Sequence, residues 1–224
     1  MPLHYQIIVL YEDQRDPAGD FPFHELILSC VYDSIDRNRQ ILTEKIKGNP
    51  KKGNSKLLRS LREDLSCLRD SCQHVIAVFD DDKVRELIGL GKKAKEQEVI
   101  EEIKASLPDC ASIFLLKKNM ETVIGDIGEC DGAIDQNLLD SALNKRSLNA
   151  RDRVIKRAVP INRHELRECI LEKNPSLKSI VDGVCGLLGG DPFDPVNRRP
   201  GSGRSRGRRS PPSPARRARS RSAG

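Results

Sequence analysis

Three short apolar runs, rich in β-branched residues, set the limits on what this chain folds into: Tyr5 to Tyr11 (YQIIVLY), His74 to Phe79 (HVIAVF) and Ser112 to Leu116 (SIFLL). Each is too short for a buried helix and almost continuously hydrophobic, the pattern of a strand covered on both faces. Each stops at charged residues, namely Glu12-Asp13, Asp80-Asp81-Asp82 and Lys117-Lys118. The segments between them carry helical spacing. From Pro22 to Ile35, Phe23, Leu26, Ile27, Cys30 and Val31 recur at three- and four-residue intervals, and a helix capped by Ser55 continues through Leu57, Leu58, Leu61, Leu65 and Leu68. A short helix from Val84 to Leu90, a charged one from Ala94 to Leu107, and another opening at Asn119-Met120-Glu121 complete the alternation. Residues 40–47 (QILTEKIK) alternate imperfectly as a second strand, and Gly48 to Asn54 reads as a loop. Strands alternating with helices predict an α/β fold with a mostly parallel four-stranded sheet flanked by helices.

Beyond Asp131 no strand pattern survives. Residues 134–144, 149–158, 163–173 and 176–188 all have helical spacing and are separated by Pro160, Asn162, Asn174 and Pro175. The chain is therefore divided into an α/β domain over 1–130, a helical extension over 131–196 and a tail over 197–224. The tail holds ten Arg and no acid, which leaves 29 basic against 33 acidic side chains in residues 1–196, a charge of −4 beneath the whole-chain +6. A fold that is a basic nucleic-acid clamp throughout is excluded. The Arg/Ser/Pro-rich tail has too little apolar surface to offset chain entropy and is expected to be disordered. Its Arg204, Arg206, Arg208 and Arg209 suit sequence-independent phosphate contacts, unless the tail serves solubility alone.

No apolar run approaches the ~18 residues of a membrane span, and the first residues do not form a secretory leader, so no membrane partner and a cytoplasmic setting are expected. Seven cysteines, an odd number without a CxxC pair, read as reduced thiols, and the spacing of Cys67, Cys72 and His74 matches no common zinc pattern. The four histidines belong to no metal-binding or catalytic motif and read as structural.

In an open parallel sheet the functional crevice lies at the carboxyl ends of the strands. Glu12 follows the first run, Asp80 and Asp82 the second, and Glu121 lies just past the third. Adjacent strands would bring these acids to one edge, where they repel one another unless a hard divalent cation lies between them. In extended backbone Asp80 and Asp82 would point the same way and share that ion. The alternative is that the acids at 80–82 only end the strand and cap the next helix. Asp13 and Asp81 read as spare acids. Lys47, Lys51 and Lys52, on the Gly-rich segment before a helix, suit a substrate phosphate, the alternative being a solvated surface loop. The spaced Gly-Lys-Ser of a nucleotide-binding loop is missing.

Glu12 in Leu10-Tyr11-Glu12-Asp13, together with Asp80-Asp81-Asp82, resembles the toprim domain, the α/β metal-binding module of primases, topoisomerases and OLD-family nucleases. Within that family the likeness is to small stand-alone toprim proteins, some linked to phage defence, and it covers roughly residues 4–130. The resemblance implies Mg²⁺, or Mn²⁺ in its place, held by Glu12, Asp80 and Asp82, with Glu121 completing a second site. It implies phosphodiester hydrolysis, Glu12 holding the metal or moving a proton as the catalytic residue, and nucleic acid as partner, DNA before RNA. The family's glycine near the Glu has no counterpart here, since Asp13-Gln14-Arg15 follows Glu12. No topoisomerase domain with a catalytic Tyr accompanies the motif. A non-catalytic adaptor that keeps the fold and meets a protein partner through the C-terminal helices is the alternative function, and a toxin-like ribonuclease using the same metals is another.

Overall fold

A computed structural model describes residues 5–12, 23–35, 46–63, 72–91, 93–105, 107, 111–117, 120–144 and 147–189. Four parallel strands, β1 (Tyr5–Glu12), β2 (Ile46–Lys51), β3 (Cys72–Asp80) and β4 (Ala111–Leu116), form one sheet in the order β2-β1-β3-β4. The helices are α1 (Phe23–Ser34), α2 (Asn54–Glu63), α3 (Asp81–Leu87), α4 (Glu96–Ala105), α5 (Met120–Cys130), α6 (Gln136–Leu143), α7 (Leu148–Lys156), α8 (His164–Lys173) and α9 (Pro175–Gly189). The α/β fold with its parallel sheet is as the apolar runs implied.

Alternation along each strand sorts the side chains into two cores. Ile7, Val9 and Tyr11 of β1, with Ile76 and Val78 of β3, face α1, α5 and the helices that follow. Ile8 and Leu10, with Val75, Ala77 and Phe79, face α2, α3 and α4. The helices after Asp131 share the first core, and all described residues lie in one compact unit, so the boundary drawn at 130/131 marks a change of element type and not a break in packing. Helix α9 lies close against β4. A Cβ at Gly183 would stand 2.3 Å from Phe114 Cζ, so only glycine permits that approach. Among the described residues, the large apolar side chains these C-terminal helices leave exposed are Leu148 and Ile161. No helix among them is long and apolar enough to cross a membrane.

Two sequence expectations are corrected. Residues 48–51, read as loop, belong to β2, whose register on β1 runs from Ile7↔Ile46 to Glu12↔Lys51. Gly, Asn, Pro and Lys are turn-like in composition, but β2 is an edge strand, where the missing N–H of Pro50 is tolerated. Gly48 has a packing reason: a Cβ there would meet the His24 ring at 2.3 Å. That ring in turn stacks on Tyr11 and accepts or donates a hydrogen bond at 3.0 Å between Nδ1 and the Tyr11 hydroxyl. Residues 40–45 of the expected second strand, and Leu65 and Leu68 of the expected helix, lie outside the described residues.

The second correction concerns the thiols. Cys130 and Cys169 form a disulfide that joins the end of α5 to α8 across a Cα–Cα distance of 6.0 Å. Lys173 donates to Glu129 and Asn174 to Asp126, each at 2.7 Å, across the same helix pair. The two cysteines are 39 residues apart, and only the packing of α5 on α8 brings them together. Cys30 is a buried thiol whose pKa burial pushes up to about 12, so it is no nucleophile.

Candidate metal site at the strand ends

Strand order places β2 and β3 on opposite sides of β1, so the chain's crossovers part at the β1/β3 boundary. A parallel sheet opens its crevice at such a point. Glu12 is the last residue of β1 and Asp80 the last of β3. Their side chains are 9% and 12% exposed, and one ammonium, Lys83 Nζ, reaches both, at 3.1 Å from Glu12 Oε1 and 3.7 Å from Asp80 Oδ2. Glu12 Oε2 is buried and has no hydrogen-bond donor. Burial pushes the Asp80 carboxyl up to about 8. The neighbouring Glu12 charge and a hydrogen bond to Glu12 add to the rise, and Lys83 opposes it.

The two-point support of Asp80 comes from a residue that motif reading passed over. Asn54, buried at the start of α2, accepts from the Asp80 N–H at 3.3 Å and donates to the Asp80 carbonyl at 3.0 Å. This amide clasp fixes the end of β3 against α2 and so positions the Asp80 backbone. Its only signal in the sequence is a turn-forming residue ahead of an apolar helical repeat. The Asn54→Ala variant leaves both Asp80 backbone groups short of a partner in a buried place. It is expected to lose ~1–3 kcal/mol of stability, read as a lower melting temperature.

Asp80 does not cap the next helix: it sits at the N-cap position with extended backbone, but its side chain makes no capping hydrogen bond. Asp81 pairs with Arg85 at 2.8 Å. The extended-backbone argument for Asp82 is corrected. The strand ends at Asp80, so Asp82 lies in the first turn of α3, exposed, with Oδ1 accepting from the Lys83 N–H at 2.9 Å. It contributes charge to the site, since it adds to the Asp80 shift. Glu121, in the first turn of α5, accepts from Arg151 at 2.6 Å, and Arg151 also donates to the Ala142 carbonyl. That ion pair ties α7 to α5.

Of the three lysines, Lys51 is the register partner of Glu12 and stands at the same rim. Lys52 follows it, exposed, in the bend before α2, whereas Lys47 pairs with Ile8, four residues down the edge strand. Asp13 and Arg204, Arg206, Arg208 and Arg209 lie outside the described residues.

Among the described residues no group of three or more His, Cys, Asp or Glu side chains is placed to hold a metal ion. What the strand ends supply is a pair, Glu12 and Asp80, with one oxygen buried and unpartnered. A pair suits Mg²⁺, which commonly takes one or two carboxylates and completes its shell with water and substrate phosphate oxygens. No protein-family model, curated protein or solved structure matches this chain.

Proposed function

We propose that the chain is a Mg²⁺-dependent nuclease of toprim-like type, cytoplasmic and directed at DNA, with defence against foreign DNA as its setting. The observation that carries this reading is the buried, unpartnered Glu12 Oε2 beside Asp80 at the β1/β3 boundary. Glu12 and Asp80 would hold the ion through carboxylate oxygens, with Mn²⁺ as an alternative ion. When bound there, the metal would polarise a phosphodiester and stabilise the leaving oxygen. Asn54, bonded to the Asp80 backbone, would help hold that carboxyl in place, and Lys51, the register partner of Glu12, would offer an ammonium for a backbone phosphate. Glu12 would take or give a proton at Oε2.

Nicking of supercoiled DNA in Mg²⁺, compared across wild type, Asp80→Ala and Asp82→Ala, tests the proposal. Cleavage should vanish with Asp80→Ala and fall less with the exposed Asp82→Ala; equal cleavage by all three ends the nuclease reading. RNA supplied in parallel separates a ribonuclease from a deoxyribonuclease. One observation favours the adaptor reading: Glu121 is committed to Arg151, so fewer acids converge than the motif implies. An adaptor would bind Mg²⁺ or nucleic acid without cutting it.

A further inference from the structure

We propose that Lys83 is a tethered cation that occupies the Glu12–Asp80 pair in the metal-free protein and competes with the divalent ion for it. This inference rests on the metal reading above. Lys83 stands in the first turn of α3, three residues past Asp80, and its side chain folds back over the helix start. The single ammonium lies 3.1 Å from Glu12 Oε1 and 3.7 Å from Asp80 Oδ2, and so contacts one oxygen of each acid. It leaves Glu12 Oε2 without a partner. The lysine side chain is 43% exposed where the carboxyls are 9% and 12%, so it has access to solvent that the pair it contacts lacks.

An ion bound to those same oxygens would carry two charges to the ammonium's one and has coordination positions to spare for the oxygen Lys83 misses. It would also lie against a like charge unless the lysine withdrew. Lys83 thus sets a positive charge against both crowded carboxyl groups when no metal is present, at the expense of metal affinity.

The test is calorimetric titration of the full chain with MgCl₂, after chelation, for wild type, Lys83→Met, Lys83→Gln and Lys83→Arg, each shown to be folded by circular dichroism. Loss of the competitor should tighten Mg²⁺ binding about tenfold in Lys83→Met and Lys83→Gln, while Lys83→Arg keeps the wild-type affinity. Saturating Mg²⁺ should also raise the melting temperature more in Lys83→Met than in wild type. A lysine that merely packed beside the site would move neither in that direction. Unchanged or weaker binding in both neutral variants, with wild type binding normally and Asp80→Asn not binding, overturns the role of Lys83 and leaves the metal reading standing. Silence from wild type and all variants removes the metal reading and this inference together.

Discussion

The Asp80→Asn variant is expected to melt above wild type in EDTA at about pH 8.5 and to lose the stabilisation that Mg²⁺ gives wild type. Asp80 is buried beside Glu12, which pushes its carboxyl up to about 8 in the folded protein, far above the ordinary 3.8. Between those values the folded chain holds a proton that the unfolded chain has released. Stability from this group is therefore complete below the ordinary carboxylate range and is lost as pH rises through about 8. Wild type in EDTA should lose up to ~4 kcal/mol between about pH 5 and about pH 8 on this account. The asparagine variant keeps a neutral hydrogen-bonding group and should be nearly flat across the same window. Mg²⁺ reverses the order. At a concentration a hundredfold above its dissociation constant an ion that binds only the folded state stabilises by ~2.7 kcal/mol, which wild type should show and the variant should not. Melting curves at several pH values, with EDTA and with Mg²⁺, read both effects. A variant that tracks wild type in both buffers would remove Asp80 from the site.

Removing the Arg167 guanidinium (Arg167→Leu) is expected to give the largest loss of stability, ~3–5 kcal/mol, or a melting temperature lower by about 10 °C. Arg167 on α8 is 1% exposed, yet it is fully bonded. It grips Asp33 of α1 with two hydrogen bonds, of 2.5 and 2.9 Å, and donates to the carbonyls of Ala158, Val159, Pro160 and Ile161. The guanidinium therefore closes the segment between α7 and α8 and fastens it to α1, whose other side packs on the sheet. Leucine fills much of the volume but leaves Asp33 charged and several carbonyls without a donor. Adding Asp33→Asn to Arg167→Leu should recover part of the loss, because the stranded charge is gone. Chemical denaturation of the two single variants and the double variant measures that coupling, and additive losses would show that the pair does not act as a unit.

How much was legible beforehand follows from where each signal resides. Strands β1, β3 and β4 declared themselves because strands buried on both faces must be apolar at nearly every position. The helices showed through the three-and-four spacing that one buried face imposes. Strand β2 was misplaced because an edge strand pairs through its backbone on one side and tolerates Gly48, Asn49 and Pro50. Its register against β1 is a property of the neighbour. Glu12 and Asp80 were found by asking what ends a buried strand. Asp82 was given the wrong geometry, because the strand stops one residue after Phe79 and the helix begins at Asp81.

Within the chain itself lay the local facts: which stretches are apolar, with what period, and which acids close the buried strands. These follow from covalent order and short-range sterics. Folding alone decided which distant groups meet. Cys130 found Cys169, Arg151 drew Glu121 into an ion pair, Asn54 clasped the backbone of Asp80, and Lys83 settled over two carboxyls. Such pairings depend on strand order and on how helices cross. Both are set by the joint packing of the two cores, so no window of neighbouring residues carries them.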